Sequence, residues 1–235
     1  MLVASAAIAE AVAPAELSQL KPGTTLPVAL RHALRPGKTT VGTRVVAVTT
    51  QRVPIGPKLW LRHGAQLTGS VIASTSQGGV ATLKVRFDAL EYRGKTIPIS
   101  ADTLAIASNM EVSQTAMPAN GSSDRGNPDA ASWTTAQVGG DEVYRSGWQG
   151  PVCSSTMQRV GFADFHGVYG NPPAQGDGPD FPLAMGPFST SAQGLYGFDE
   201  HDVLRSANGV VEIQGPSGKV DLRGGDNMLL KVIGQ

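Results

Sequence analysis

A chain of 235 residues with 29 glycines, 16 prolines and only 16% charged residues is too heavily punctuated for a helical bundle, yet long enough to bury one large β core or two small ones. Nineteen basic and nineteen acidic residues cancel, so no chain-wide charge draws it toward nucleic acid or anionic lipid. The single cysteine, Cys153, excludes an intramolecular disulfide, and its neighbours Val152, Ser154 and Ser155 supply none of the positive charge that activates a thiolate.

Residues 1–15 read MLVASAAIAEAVAPA. This small, apolar run with its Ala11-Val12-Ala13 step reads as the back half of a secretory leader, interrupted by Glu10 and without the usual basic first segment. The reading implies export to the periplasm, the outer envelope or the extracellular space. The alternative is a short Ala-rich helix lying on the domain. No other stretch is long and apolar enough to cross a membrane as a helix.

Residues 20–107 alternate as strands do. Leu26, Val28 and Leu30 share one face, and Val46 and Val48 oppose Val45 and Ala47. Residues 58–61 form a short strand and residues 67–74 a longer one. Gly78-Gly79 turns the chain into residues 80–87, where Leu83, Val85 and Phe87 face the same way. Arg93-Gly94 makes a hairpin turn into residues 96–99. Short strands at regular spacing predict a barrel or sandwich.

Residues 117–128 carry almost nothing to bury and read as a linker or exposed loop. The longer stretch 117–207 is broken by Gly and Pro yet rich in rings, among them Trp133, Tyr144, Trp148, Phe162, Phe165 and Tyr169. Disordered segments are poor in aromatics, so it is expected to be ordered but irregular, pinned by its rings across the barrel. Strands are expected again at residues 209–214, 219–222 and 227–233. The fold expected is mainly β: a small barrel or sandwich from residues 20–107, closed by residues 208–233 and carrying the insertion 117–207.

One pattern recurs: a basic residue, any residue, glycine, two small or polar residues, then an apolar strand. It begins at Lys21, Arg62 and Arg223, with its glycine at Gly23, Gly64 and Gly225. Each glycine is expected to take a left-handed turn and deliver the chain into a sheet. Lys21-Pro22-Gly23-Thr24 and His63-Gly64-Ala65-Gln66-Leu67-Thr68-Gly69 resemble turns in the C-terminal β-barrel of the TrbI-like channel subunit of type IV secretion machines. The Gly225-led final strand resembles that family's closing strand. The chain is also similar to uncharacterised exported β-rich bacterial proteins. The resemblance covers residues 20–100 and 208–232 and implies a barrel in an envelope setting. The family's membrane-anchored N-terminal part and helical antenna have no counterpart in these residues, so no channel is implied.

No chemical signature stands out. His32, His63, His166 and His201 have no metal-ligand spacing, no nucleophile elbow is present, and no glycine loop precedes a helix. Asp177 and Asp180, and the Asp199, Glu200 and Asp202 group, read as acidic turns. Asp141 and Glu142 are adjacent and would point to opposite faces of a strand. No catalytic residue, cofactor or metal is assigned. The leading expectation is a non-catalytic structural or interaction module that contacts a protein partner or itself, without nucleic acid. A carbohydrate- or cell-wall-binding module is the alternative, its contacts drawn from Trp133, Tyr144, Trp148, Phe165 and Tyr169. A hydrolase would need Asp141, Glu142, Asp164, His166 or Asp199 to converge in a cleft.

Overall fold

The computed structural model describes residues 19–115, 134–144, 149–174, 176, 178–216 and 220–234. The leader-like residues 1–15, the stretch 117–128, Asp177, Trp133 and Trp148 lie outside the described residues. The fold is mainly β, as the alternation predicts.

The main sheet is built from β1 (Thr25–Leu30), β2 (Arg44–Thr49), β5 (Gln66–Gln77), β6 (Val80–Tyr92), β7 (Lys95–Pro98), β8 (Ala101–Ala107), β15 (Gly194–Tyr196), β16 (Val203–Ala207), β17 (Val210–Pro216) and β18 (Asn227–Val232). Its order is β15-β8-β18-β1-β2-β5-β6-β17-β16, with β7 paired to the far end of β6. Every pairing is antiparallel except β15 on β8. The sheet curls until its far side returns to β8. There the Thr103 amide donates to Ser206 Oγ at 2.7 Å and the Gly209 amide donates to Asp102 Oδ1 at 2.9 Å. Side chains thus bridge an almost closed barrel where no backbone ladder does.

The inward face holds Leu26, Val28, Leu67, Leu83, Val85, Phe87 and Ile213, all essentially inaccessible. Each such side chain stabilises the fold by about 1.5–3 kcal/mol relative to exposure. Two-residue turns with both central residues at positive φ close three hairpins: Gly78-Gly79, Arg93-Gly94 and Asn208-Gly209. Their twist matches that of the strands they join.

The recurring glycine turn is one structural device, and it occurs a fourth time. Gly23, Gly64 and Gly225 have φ of +86°, +81° and +95°, and Gly42, ahead of β2, has +85°. In each turn the residue after the glycine donates to the carbonyl of the residue two before it: Thr24 to Lys21, Thr43 to Thr40, Ala65 to Arg62 and Asp226 to Arg223, at 3.1–3.2 Å. Each glycine amide then donates at 2.8 Å to a neighbouring strand, at Val232, Val71, Thr49 and Leu30 respectively. Those four residues return their own amides to Thr24, Thr43, Ala65 and Asp226 at 2.9–3.0 Å. The turns therefore clasp β1 with β18, and β2 with β5, in the same reciprocal way. Thr40 stands where the other copies carry a base, so the device depends on the glycine and not on the basic residue.

The expected insertion is more regular than its composition suggests. It contains a second, six-stranded antiparallel sheet ordered β14-β13-β12-β11-β10-β9. Its strands are β9 (Thr134–Ala136), β10 (Glu142–Tyr144), β11 (Gly150–Cys153), β12 (Arg159–Asp164), β13 (Gly167–Gly170) and β14 (Leu183–Ala184). Each is short, and turns break the periodicity before it can be read. The insertion also ends before residue 207, because β15 and β16 already belong to the main sheet. Val143, Val152, Met185 and Phe188 pack on Ala105, Ala107 and Leu229, so the second sheet covers the outer face of β8 and β18. The strand expected at residues 219–222 reduces, among the described residues, to a single bridge between Leu222 and Leu34. A short helix, α1 (Asn109–Gln114), follows β8, with the Ser108 hydroxyl accepting from the Glu111 amide. No helix among the described residues is long and apolar enough to cross a membrane.

Candidate functional site

A small separate hairpin, β3 (Val53–Gly56) with β4 (Leu59–Leu61), rises where β2 leaves the barrel. Facing it across a gap are the β12–β13 turn, the β6–β7 turn and the Gly64 turn. Between them lies a cleft of about 740 Å³ lined by Thr50, Gln51, Arg52, Lys58, Leu59, Trp60, Arg62, His63, Arg93, Phe165 and His166.

Gln51 sets its floor. This side chain is buried, and its Oε1 accepts from the Val168 and Gly186 amides, both at 3.0 Å. Its Nε2 donates to the Val168 carbonyl at 2.9 Å and the Arg52 carbonyl at 3.3 Å. A single amide side chain thus ties the barrel to the second sheet. Gly167 makes room for it, since a β-carbon there would run into the Gln51 carboxamide.

Arg52 stands on that floor. Its guanidinium carbon lies 5.0 Å from the Trp60 ring centroid, a cation–π contact, and its Nη1 is 2.7 Å from His166 Nε2. A guanidinium only donates, so Nε2 accepts and the imidazole carries its proton on Nδ1. The His166 loop is set by Asp164, whose Oδ1 accepts from the His166 amide at 2.7 Å and the Gly167 amide at 3.2 Å. Behind Trp60, Tyr169 packs edge-on at 5.9 Å and stacks on Phe162 at 5.2 Å, with its hydroxyl donating to the Arg52 carbonyl at 3.2 Å. Burial, reinforced by the charge of Asp164 and opposed by that of Arg52, pushes the Tyr169 phenol well above its ordinary range.

The rim is cationic. The Gly64 turn presents Arg62 and His63, the β3–β4 turn presents Lys58, and the β6–β7 turn presents Arg93. Among the described residues no carboxylate forms an ion pair with Arg52, Lys58, Arg62 or Arg93. Phe165 projects beside them, 68% exposed, with its ring centroid 3.9 Å from that of His166. The charge balance of the whole chain therefore conceals a local segregation of positive charge around the half-buried Trp60 and the exposed Phe165.

Of the expected contact residues, the structure brings Phe165 alone to the lining of the cleft, whereas Tyr169 is buried behind Trp60 and supports it without facing the cleft. Tyr144 sits apart on β10, its hydroxyl 3.3 Å from Met157 Sδ and its phenol pKa raised, chiefly by the hydrogen bond with Glu142. Of the expected acidic groups Asp164 alone sits beside the cleft, under the His166 loop, and none lines it. Asp141 is buried and accepts from the Thr190 amide and hydroxyl, both at 2.7 Å. Asp199 accepts from the His201 amide at 3.1 Å and contacts its ring nitrogen at 2.9 Å, the geometry of a capped turn. Asp180 contacts Lys21 at 3.4 Å. No group of three or more metal-ligating side chains occurs among the described residues. Compared with known protein families, characterised proteins and solved structures, the chain matches none.

Proposed function

We propose that the chain is an exported, non-catalytic recognition module of the cell envelope or extracellular space, and that it holds an acidic partner in the cleft. The observation that carries the reading is the gathering of Arg52, Lys58, Arg62 and Arg93 around Trp60 and Phe165 on a chain of zero formal net charge. Positive groups crowded in one concave place raise the local concentration of anions and select against like charge. The leader-like residues 1–15 support export. The resemblance of the glycine-led strands to the TrbI-like barrel supports an envelope setting, and with it a barrel used for contact.

The test is retention of the purified protein on immobilised acidic and neutral envelope polymers. Retention on acidic polymer alone, falling as salt rises and lost in a Lys58→Glu, Arg62→Glu double variant, is the expected result. Equal retention of the variant, or none by the wild type, contradicts the reading.

A further inference from the structure

The cleft does not end at Trp60. A second compartment of about 420 Å³ continues past it, lined on its far side by Glu91 and Tyr92. The two compartments share Trp60, Arg62, His63 and Arg93, so they form one groove with a cationic waist. Each has the volume of a small-ligand site.

Their chemistry differs. The first compartment contains Arg52 and Lys58, is faced by Phe165, and has no carboxylate in its wall. The second contains the tyrosine ring and the carboxylate of Glu91, whose oxygens accept from the Thr96 hydroxyl at 3.1 and 3.2 Å. A ligand filling both must offer an anion at one end and hydrogen-bond donors at the other, with flat faces for the rings between.

Resting on the proposed recognition role, we infer that the groove takes an acidic oligosaccharide: a carboxylated sugar unit beside Arg52 and a neutral unit beside Glu91 and Tyr92. The sugar carboxylate receives N–H bonds from the guanidinium that Trp60 and His166 already hold in place, a planar match to a planar anion. The C–H face of the same unit lies on Phe165. Apart from its contact with the His166 ring, Phe165 projects into solvent, 68% exposed. The hydroxyls of the neutral unit donate to Glu91, and its flat face meets Tyr92. An acidic peptide fits less well, because each carboxylate would be ordered on a flexible side chain, whereas a sugar ring carries it preset. A nucleic acid needs a track of cations along its phosphates, and these cations surround one groove.

The experiment is calorimetric titration of the full chain with a tetrasaccharide of alternating hexuronate and neutral units, with its carboxyl-reduced analogue, and with a heptaglutamate peptide. The acidic tetrasaccharide is expected to bind, and the carboxyl-reduced sugar about tenfold or more weaker. Phe165→Ala removes an exposed ring that the core does not need, and is expected to weaken the sugar about fivefold while leaving the unfolding midpoint unchanged. Glu91→Gln is expected to weaken it less than Arg52→Gln. Equal affinity for the reduced sugar, or insensitivity to Phe165→Ala, overturns the inference. Preference for heptaglutamate also overturns it but leaves the recognition role standing. No binding of any acidic probe brings down both.

Discussion

Replacing Gln51 by leucine tests whether one amide holds the cleft together. The variant conserves approximate volume but abandons the Val168 and Gly186 amides, both bonded to Gln51 Oε1 at 3.0 Å. The Val168 carbonyl is less exposed to loss, because the Met185 amide also donates to it at 2.9 Å. Two donors left without partners, one buried and one part-buried, cost about 1–3 kcal/mol each. The greater apolarity of leucine offsets about 1 kcal/mol of that. The expected net destabilisation is about 3 kcal/mol, a large share of the stability of an ordinary domain. Urea unfolding followed by tryptophan emission and by far-ultraviolet dichroism measures it. The loss should fall first on the junction of the two sheets, so the two probes should cease to coincide in the variant. A change below about 1 kcal/mol with coincident transitions would refute the reasoning and mean that water or a backbone shift satisfies both amides.

Tyr169→Phe should cost about 1 kcal/mol by removing the hydroxyl that donates to the Arg52 carbonyl. It should also flatten the alkaline limb of stability. Burial raises the folded phenol above the ordinary tyrosine value of about 10, so its contribution is fully present below that pH and is lost as pH rises through the folded value. Thermal melts of both proteins between neutral and strongly alkaline pH check this. Asp226 is 2% exposed, and burial raises its carboxyl while N–H bonds from Arg223 and Asn109, at 2.7 and 2.9 Å, pull it back. A raised folded value means that this group's contribution is largest at low pH and declines as pH rises through the folded value. The melting point of Asp226→Asn relative to wild type should therefore be more favourable near neutral pH than at about pH 3.5. Gly64→Ala meets no atom within 4 Å and should cost only the left-handed backbone penalty, about 1–2 kcal/mol. Gly69→Ala drives a β-carbon into the Arg86 carbonyl across the β5–β6 ladder and should prevent soluble folding, read as loss of expression.

The barrel was legible where burial alternates. Leu83, Val85 and Phe87 follow the period of two because β6 has one buried face, and Arg93-Gly94 announces its hairpin by residue type. The glycine turns at Gly23, Gly64 and Gly225 were visible as a pattern, but Gly42 was missed because Thr40 breaks the basic position. The second sheet was illegible. Strands such as β14, two residues long, carry no period, and β8 is buried on both faces near Ala105 and Ala107. Of the cleft's rings Phe165 is legible in the sequence, because aromatics in a Gly/Pro-rich segment need a surface. Trp60 is not, since residues 58–61 read only as a short strand. The cations were missed for a different reason. Net charge averages over the chain, while folding brings Arg52 to His166 across 114 positions of sequence.

The most direct test of the account is the assigned indole N–H resonance of Trp60, followed by two-dimensional NMR as the acidic tetrasaccharide is added. Trp60 belongs to both compartments of the groove, so it should report an occupant in either. The account predicts a saturable shift of this resonance, with the backbone amides of Arg52, Phe165 and His166 moving at the same midpoint and Tyr144 staying still. A motionless Trp60 indole at saturating sugar, or shifts centred on Tyr144, would contradict it.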